Sequence, residues 1–306
     1  MFRVLNLLIA LLVLSGCATE LVLEQDGALA VIPHKTSRAG HIVVETMLNG
    51  QGPYSFALDT GATISVLYDK ARNTLEVDPI PGLQARVLGM TGTGDFPVAT
   101  VSRISVGEET WENARVALLP DSEPAARQLD GILGLDFLRQ YAIWYSQEDR
   151  LLRLYPKELV AEGQYLGWSP LKLSELRVAY GDRSVLAFDI YIDGERIPTL
   201  FDLGSTVNLM NVKAARKLRI PTRPPANTVN VFGVIGWAPV LSEVRVWRLR
   251  IDNMQWKNRI FLVGEFPVFE VLKINRRPAA IVGTNFFAQR DFIIDFSRER
   301  LLVRHQ

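Results

Sequence analysis

Phe56-Ala57-Leu58-Asp59-Thr60-Gly61-Ala62-Thr63 is the stretch of sequence that decides the fold. An apolar run leads into a single carboxylate, which is followed at once by small residues and a glycine. Apolar and β-branched residues resume at Ile64, so the pattern predicts two strands with a sharp bend between them at Gly61. An Asp at such a bend is held by the backbone around it, and its small neighbours leave room for water and a substrate.

The same pattern occurs a second time in Leu200-Phe201-Asp202-Leu203-Gly204-Ser205-Thr206. A single Asp-Thr-Gly is a weak signal, but two carboxylates on matching loops are what acid–base hydrolysis without a metal requires. The sequence therefore predicts that Asp59 and Asp202 form a catalytic pair.

Composition indicates an ordinary globular protein. The chain has 306 residues, of which 48% are hydrophobic and 22% charged, and its formal net charge is +1. Its length allows one large domain or two domains of about 150 residues each. The 22 glycines and 16 prolines are spread among short β-like runs, which favours an all-β fold. Because neither sign of charge is in excess, we expect no nucleic-acid partner that binds through charge.

The single cysteine and the three histidines argue against several classes of hydrolase. Cys17 alone cannot form an intramolecular disulfide, a cysteine-based zinc site or an iron–sulfur cluster. His34, His41 and His305 lack the spacing of metal ligands, which disfavours a zinc or a Ser-His-Asp hydrolase. We therefore expect no metal and no cofactor.

The N-terminus has the layout of a secretory signal, with a positive residue and then an apolar core too short for a comfortable membrane span. Leu14-Ser15-Gly16-Cys17 resembles the bacterial lipobox, in which the Cys becomes a lipidated N-terminus. This predicts a signal peptide over 1–16, and a lipidated Cys17 with a tether over 17–30; an uncleaved anchor is the alternative. Ala18 in place of Asp favours the outer membrane, with the protein facing the periplasm.

Most of the remaining chain is present in two copies. Each copy contains a strand that closes in an Asn-Gly or Asp-Gly turn (40–50 and 184–194), a short helical segment (69–72 and 212–217), a Gly-rich hairpin (85–94 and 229–237) and an apolar-apolar-Gly run (131–138 and 280–287). The repeats predict an N-terminal lobe over 31–160 and a C-terminal lobe over 161–306.

The Gly-rich hairpins supply the candidate substrate contacts. These candidates are Gly89, Met90, Thr91 and Gly92 in the first copy and Phe232, Gly233 and Val234 in the second. An ordinary surface turn would also explain such a sequence. Both hairpins follow a carboxylate loop, however, and this shared order favours a pair of mobile flaps that cover a substrate.

These motifs resemble the bacterial retropepsin-like group of aspartic peptidases. The resemblance rests on Asp59-Thr60-Gly61-Ala62, its echo Asp202-Leu203-Gly204-Ser205, the flap-like glycines and the late triplets Ile132-Leu133-Gly134 and Ile281-Val282-Gly283. It implies an all-β fold of two pseudo-twofold-related β-barrel lobes in one chain, with few short helices and a central cleft.

The resemblance also implies an activity. In the family, one Asp from each lobe shares a proton with the other and holds a water, and here these would be Asp59 and Asp202. Gly61 and Gly204 would supply backbone amides near the carboxylates. The substrate would be an extended peptide of a periplasmic or envelope protein, the optimum acidic to mildly acidic, and the enzyme a monomer.

Leu203 departs from the family, which usually has Thr or Ser at this place. That hydroxyl normally hydrogen-bonds to the opposite loop, so Thr60 is expected to make its half of the interaction while the Leu203 side chain cannot make the other. Behind the glycines stand Ala62 and Ser205. In the family, a Ser at this position can hydrogen-bond a catalytic carboxylate and lower its pKa.

Leu203 leaves several functions open. The first is an active enzyme with an asymmetric dyad, which the retained Asp202 favours because an unused buried charge is costly. The second is a non-catalytic lipoprotein that binds peptides or proteins on the same fold. Two weaker alternatives are an active site built from the first lobes of two molecules and a purely structural envelope lipoprotein.

Three further residues are interpreted as structural. Asp136 aligns with Asn285 in the other copy, which predicts a hydrogen-bonding role and not a second functional acid. Trp111 and Trp256 occupy matching positions and are expected to pack in the lobes.

Overall fold

The protein is described by a computed structural model over residues 27–121, 129–157, 167–179, 183–225 and 229–305. The predicted signal peptide, Cys17 and most of the tether lie outside these ranges, as does the predicted lobe boundary near residue 160. Within the described ranges, no helix combines the length and the apolar character needed to cross a membrane.

Strands dominate both halves of the described chain. The first half contains β1 (Ala30–Thr36), β2 (Ile42–Leu48), β3 (Gln51–Leu58), β4 (Val66–Tyr68), β5 (Pro79–Gly89), β6 (Gly92–Val106), β7 (Glu109–Leu119), β8 (Gly131–Leu133), β9 (Tyr141–Ser146) and β10 (Leu151–Pro156). The second half contains β11 (Trp168–Lys172), β12 (Ser174–Arg177), β13 (Ser184–Ile192), β14 (Glu195–Phe201), β15 (Leu209–Met210), β16 (Thr222–Arg223), β17 (Asn230–Phe232), β18 (Trp237–Pro239), β19 (Ser242–Ile251), β20 (Met254–Val263), β21 (Ala280–Val282), β22 (Phe292–Asp295) and β23 (Arg300–Arg304).

Helices are short and few in the described ranges. They are α1 (Asp69–Leu75), α2 (Leu135–Leu138), α3 (Val212–Leu218) and α4 (Pro267–Val271), with a 3₁₀ turn at Thr284–Phe286. The two helical segments predicted from the sequence begin where α1 and α3 begin, and each helix continues slightly further than predicted.

Each half of the chain closes a barrel of six strands. In the first half the order is β2-β3-β8-β4-β7-β6, and β6 pairs back with β2. In the second half the order is β13-β14-β21-β15-β20-β19, and β19 pairs back with β13. Strand β2 shows the period that fills such a barrel, because Val44, Thr46 and Leu48 are buried while Glu45 is exposed. These barrels confirm the predicted all-β fold with two barrel lobes.

A further sheet joins the two halves. Its order is β1-β10-β9-β22-β23-β11, so three strands come from each half. The central pair is β9 and β22, which run antiparallel with Trp144 opposite Ile293. The strand order is the same when it is read outward from this pair in either direction, which reflects the pseudo-twofold relation of the halves.

The parallel pairing of β3 with β8 sets the position of the first carboxylate loop. The amide of Asp59 continues this ladder and donates to the carbonyl of Leu133 over 3.0 Å. The pairing of β14 with β21 repeats the arrangement, and the amide of Asp202 donates to the carbonyl of Val282 over 3.0 Å. The two loops therefore leave their barrels with the same geometry.

The glycine that ends each apolar-apolar-Gly triplet lets the backbones come close to these loops. A Cβ atom on Gly134 would come within 2.9 Å of the Ile64 backbone, and one on Gly283 within 2.7 Å of the Ser205 backbone. Any larger residue would push the carboxylate loop out of place.

Candidate active site

Both carboxylate loops hold their Asp side chain through backbone amides. Oδ1 of Asp59 accepts hydrogen bonds from the amides two and three residues further along, over 2.7 and 2.9 Å. Oδ1 of Asp202 accepts from the equivalent amides over 2.9 and 3.2 Å. Each loop therefore fixes one carboxyl oxygen of its Asp and leaves the other oxygen free of these amides.

Asp59 and Asp202 lie against each other at the bottom of a cleft between the barrels. Their carboxyl groups are hydrogen-bonded to one another. Each carboxyl rests on the glycine of the opposite loop: a Cβ atom on Gly61 would come within 2.7 Å of the Asp202 carboxyl, and one on Gly204 would overlap the Asp59 carboxyl. Asp202 is 7% exposed, whereas Asp59 is half-buried and lines the cleft.

Burial and mutual repulsion change the acidity of the pair. Burial raises the pKa of Asp59, and its hydrogen bonds to backbone amides and to Asp202 oppose this rise. The pKa of Asp202 is raised well above its ordinary value, first by burial and next by the negative charge of Asp59. The two groups therefore titrate as one unit, and a single proton is held by the pair.

Thr60 connects the two loops through its hydroxyl. This hydroxyl donates to the carbonyl of Phe201 over 2.7 Å and accepts from the amide of Leu203 over 3.0 Å. The side chain of Leu203 is 1% exposed and has no polar atom to offer in return. The connection between the loops is therefore one-sided, as the substitution at this position led us to expect.

Ser205 acts on Asp202 through its amide and not through its hydroxyl. The hydroxyl donates to the carbonyl of Val207 over 2.7 Å, which holds the loop that leads into β15. The hydroxyl–carboxylate bond that the resemblance suggested is therefore replaced by an amide–carboxylate bond. At the matching place in the first loop, Ala62 contributes its amide in the same way.

Comparison with known families finds a match in each half of the chain. A model described as aspartyl protease matches residues 44–137 and 188–286, which together cover more than half of the chain. Each matched region contains one of the two facing carboxyls. The chain belongs to the aspartyl protease family. A comparison with curated proteins found no match.

Two flaps meet above the carboxyls of this aspartyl protease. Flap 1 is the hairpin tip between β5 and β6, and flap 2 is the hairpin of β17 and β18. The hydroxyl of Thr91 in flap 1 donates to the carbonyl of Ile235 in flap 2 over 2.6 Å. Gly92 packs against the same residue, since a Cβ there would come within 3.2 Å of the Ile235 carbonyl. Thr91 and Gly92 therefore face the other flap.

The other five flap candidates line the cleft of the protease together with the two carboxyls: they are Gly89, Met90, Phe232, Gly233 and Val234. The cleft encloses about 730 Å³, including space that opens to solvent. Apart from the carboxyls its lining is mostly apolar, as in Leu129, Val185 and Leu272.

Sequence reasoning missed His41 as a residue of this cleft. Its ring lies 3.1 Å from the hydroxyl of Ser37 and hydrogen-bonds to the backbone of Gly204 in the opposite loop. Burial lowers the pKa of His41, and the hydrogen bond to Gly204 opposes this effect. The repeat offers one indication of this role: Val185, which occupies the position equivalent to His41 in the other copy, also lines the cleft.

The residues predicted to be structural lie away from the dyad. Asp136 accepts hydrogen bonds from the amide and the hydroxyl of Ser65 over 2.8 and 2.7 Å. Trp111 packs on Phe137 and Trp256 on Phe286 in the two barrels. Over the described ranges, no three side chains of the types His, Cys, Asp and Glu gather in a way that could hold a metal ion.

Proposed function

We propose that the chain is an aspartic endopeptidase in which Asp59 and Asp202 activate a water molecule for hydrolysis of a peptide bond. The observation that carries the proposal is the hydrogen-bonded contact of two carboxyls, buried Asp202 and half-buried Asp59, one from each barrel, beneath two flaps. Two carboxyls whose pKa values are pushed apart can serve as base and acid in the same step.

We assign the two roles from the difference in burial, because Asp202 is the more deeply buried carboxyl and therefore the better place for the proton. With one proton on the pair, ionised Asp59 takes a proton from the water while the water oxygen bonds to the peptide carbonyl carbon. Protonated Asp202 donates its proton to the carbonyl oxygen. In the second step the carbon–nitrogen bond breaks, the leaving nitrogen takes the proton from Asp59, and one hydroxyl of the intermediate returns its proton to Asp202.

The cleft is suited to an extended peptide. Both flaps are hairpins whose tips lie opposite the carboxyls, so their backbones are placed to bond to a strand-like substrate. The apolar lining around the dyad would accept hydrophobic side chains next to the scissile bond.

A non-catalytic peptide-binding function is the second candidate, and Leu203 is the observation that favours it. With only Thr60 to connect the loops, the dyad has one fixed side and one looser side. A displacement of the carboxyls by a fraction of an ångström would reduce the rate far more than it would reduce binding.

The location of the protease is proposed from its sequence. A lipidated Cys17 would hold the protein at the outer membrane, with both lobes facing the periplasm, and the protease would act there as a monomer on periplasmic or envelope proteins. Replacing Cys17 with Ser should abolish metabolic labelling of the protein by radioactive palmitate. Labelling that survives the substitution would contradict lipidation at this residue.

The proposed activity is tested with the full chain, purified in detergent, on a peptide library near pH 5. Cleavage by the wild type that is lost in both Asp59→Asn and Asp202→Asn supports the dyad. Peptide binding by every form without any cleavage would establish the binding module instead. Cleavage that is lost only with Asp59→Asn, in a protein that is dimeric in solution, would indicate that the first lobes of two molecules form the site.

A further inference from the structure

Two recesses adjoin the catalytic cleft, one on each side of the dyad. The first, which we call the lobe 1 recess, shares Leu88 with the cleft and is also lined by Thr63 and Ile64. The second, the lobe 2 recess, shares His41 and Phe232 with the cleft. The recesses occupy about 870 and 950 Å³, each including space that opens to solvent, so size does not distinguish them.

Charge distinguishes the two recesses. The lobe 1 recess is lined by Arg86, Arg115 and Arg183. Arg86 is paired with Asp95 through two hydrogen bonds of 2.8 and 2.6 Å, so its charge is balanced. In the described part of the chain, Arg115 and Arg183 have no carboxylate within ion-pair distance, and the charge of Arg183 acts on the Asp136 carboxyl only from further away. The guanidinium of Arg183 instead contacts the hydroxyl of Thr63 at 3.4 Å.

The repeat shows that this charge belongs to one side only. Arg86 stands three residues before Gly89 in flap 1, and Asn230 stands three residues before Gly233 in flap 2. Arg115 lies two residues before Ala117, which pairs with β4. Ile260 lies two residues before Leu262, which pairs with β15, so Ile260 is the counterpart of Arg115.

The third arginine also has an uncharged counterpart. Arg183 directly precedes the repeated segment 184–194, and Ala39 directly precedes the matching segment 40–50. Ala39 lines the lobe 2 recess. The lobe 2 recess is lined by apolar residues such as Val207, Val231 and Leu262, and its polar lining residues are His41, Thr206 and Asn230. All three arginine positions are thus uncharged on this side of the dyad.

We propose that the cleft selects peptides that carry an acidic side chain at one end of the bound segment and apolar side chains at the other. This inference rests on the proposed function, since it requires a peptide that extends from the dyad into both recesses. A carboxylate in the lobe 1 recess meets Arg115 and Arg183, whereas a carboxylate in the lobe 2 recess would lose water without gaining an arginine partner.

The proposal is tested with pairs of peptides that differ only by Glu or Gln at one position. The position is moved along a cleaved sequence on both sides of the scissile bond, and the Glu-to-Gln ratio of kcat/KM is measured. On one side only, we expect a ratio of about five for the wild type, a value typical of partly exposed ion pairs. The double variant Arg115→Gln/Arg183→Gln should bring the ratio to about one. Lys257→Gln, which removes an exposed cation outside both recesses, should leave it unchanged.

A gain-of-charge variant keeps the test decisive if the double variant is unstable. Asn230 faces Pro239 across the β17–β18 ladder, where Arg86 faces Asp95, so an arginine at this position would have no carboxylate opposite it. Asn230→Arg should therefore create a preference for Glu on the other side of the scissile bond. A wild-type ratio of one at every position, or a ratio that the double variant leaves unchanged, would overturn the proposal.

Failure of the peptidase function would give a different result. If the wild type cleaves none of the peptides, the proposed function fails, and the same Glu and Gln pairs are compared by their Kd values in fluorescence anisotropy. A preference for Glu that is lost in the double variant would then support the acidic specificity on its own. Equal Kd values for all pairs would overturn it.

Discussion

The loop that carries Asp59 and the loop that carries Asp202 differ at the one side chain that reaches the opposite lobe. Their backbones hold the carboxyls through the same pair of amides, with distances that agree to within 0.3 Å. Thr60 nevertheless bonds twice to the other loop, whereas Leu203 contributes only its amide. The backbone amides of each loop therefore position its own carboxyl, while a single side-chain hydroxyl connects the two loops.

The largest effect is expected where the two loops touch through glycine. In Gly61→Ala and Gly204→Ala, the added methyl group would overlap the carboxyl of the opposite Asp and push the dyad apart. We expect kcat/KM for peptide cleavage to fall by about a hundredfold or more, because displacements of this size disrupt the alignment of reacting groups. The control is Gly94→Ala, where the new methyl group meets only the ring of Phe96, which can move. A near-normal rate for either loop variant would contradict the geometry described.

The one-sided connection between the loops predicts the next effect. Thr60→Val leaves the carbonyl of Phe201 and the amide of Leu203 without their partner in a buried place. We expect a loss of about 2 kcal/mol in the free energy of unfolding, measured by denaturant titration, and roughly a tenfold fall in kcat.

The converse variant adds the missing hydroxyl to the second loop. By the repeat, the new hydroxyl of Leu203→Thr would lie opposite the carbonyl of Leu58, the counterpart of Phe201. This hydrogen bond should offset the loss of buried apolar contacts at Leu203, so we expect a change in stability of about 1 kcal/mol or less and no fall in kcat. If Thr60→Val were as stable and as active as the wild type, the hydroxyl would not connect the loops.

A smaller effect on stability follows from the raised pKa of Asp202. A carboxyl whose pKa is higher in the folded than in the unfolded protein adds stability below its unfolded pKa, and this stability is lost as pH rises through the folded pKa. Asp202→Asn removes this dependence and keeps an oxygen that can accept the two backbone amides.

We therefore expect Asp202→Asn to have a Tm close to that of the wild type near pH 4, and a higher Tm near pH 7. The gain at pH 7 should be on the order of 1 kcal/mol, about 2 °C in a protein of this size. Thermal unfolding of both proteins across this range measures the difference. A difference in Tm that stays constant with pH, or that narrows as pH rises, would show that ionisation of Asp202 does not destabilise the folded protein.

The smallest effect concerns a position at which the two lobes differ outside the dyad. Asp136 accepts from three donors, two of them on Ser65, whereas its counterpart is Asn285. Asp136→Asn retains one acceptor oxygen and relieves a carboxyl whose pKa burial raises. We expect a loss of about 0.5 to 1 kcal/mol in denaturant titration and an unchanged kcat. A large loss of activity with stability preserved would instead give Asp136 a part in catalysis.

Much of the fold could be predicted from the sequence because the chain contains the same pattern twice. The apolar run, the Asp and the glycine are local features, and in each copy they are enough to predict a strand that is followed by a bend. Comparison of the two copies also identified Asp136 as structural, because a catalytic acid would not be expected opposite Asn285.

The remaining features depend on contacts between residues far apart in the chain. The pairing of β9 with β22 and the contact of Thr91 with Ile235 join the two lobes, and no local pattern encodes such a register. His41 was missed for the same reason, since its neighbour Gly204 is brought near only by the assembled lobes. The charge of the lobe 1 recess could not be predicted either, because Arg115 and Arg183 come together only in the folded protein.

The central claim is that one chain supplies both carboxyls of a working dyad. The measurement that tests it most directly is the rate of peptide cleavage by the full-length wild type, by Asp59→Asn and Asp202→Asn separately, and by an equimolar mixture of the two variants. The account predicts cleavage by the wild type and none above background by either variant or by the mixture. Cleavage by Asp202→Asn at the wild-type rate, or recovery of activity on mixing, would contradict it.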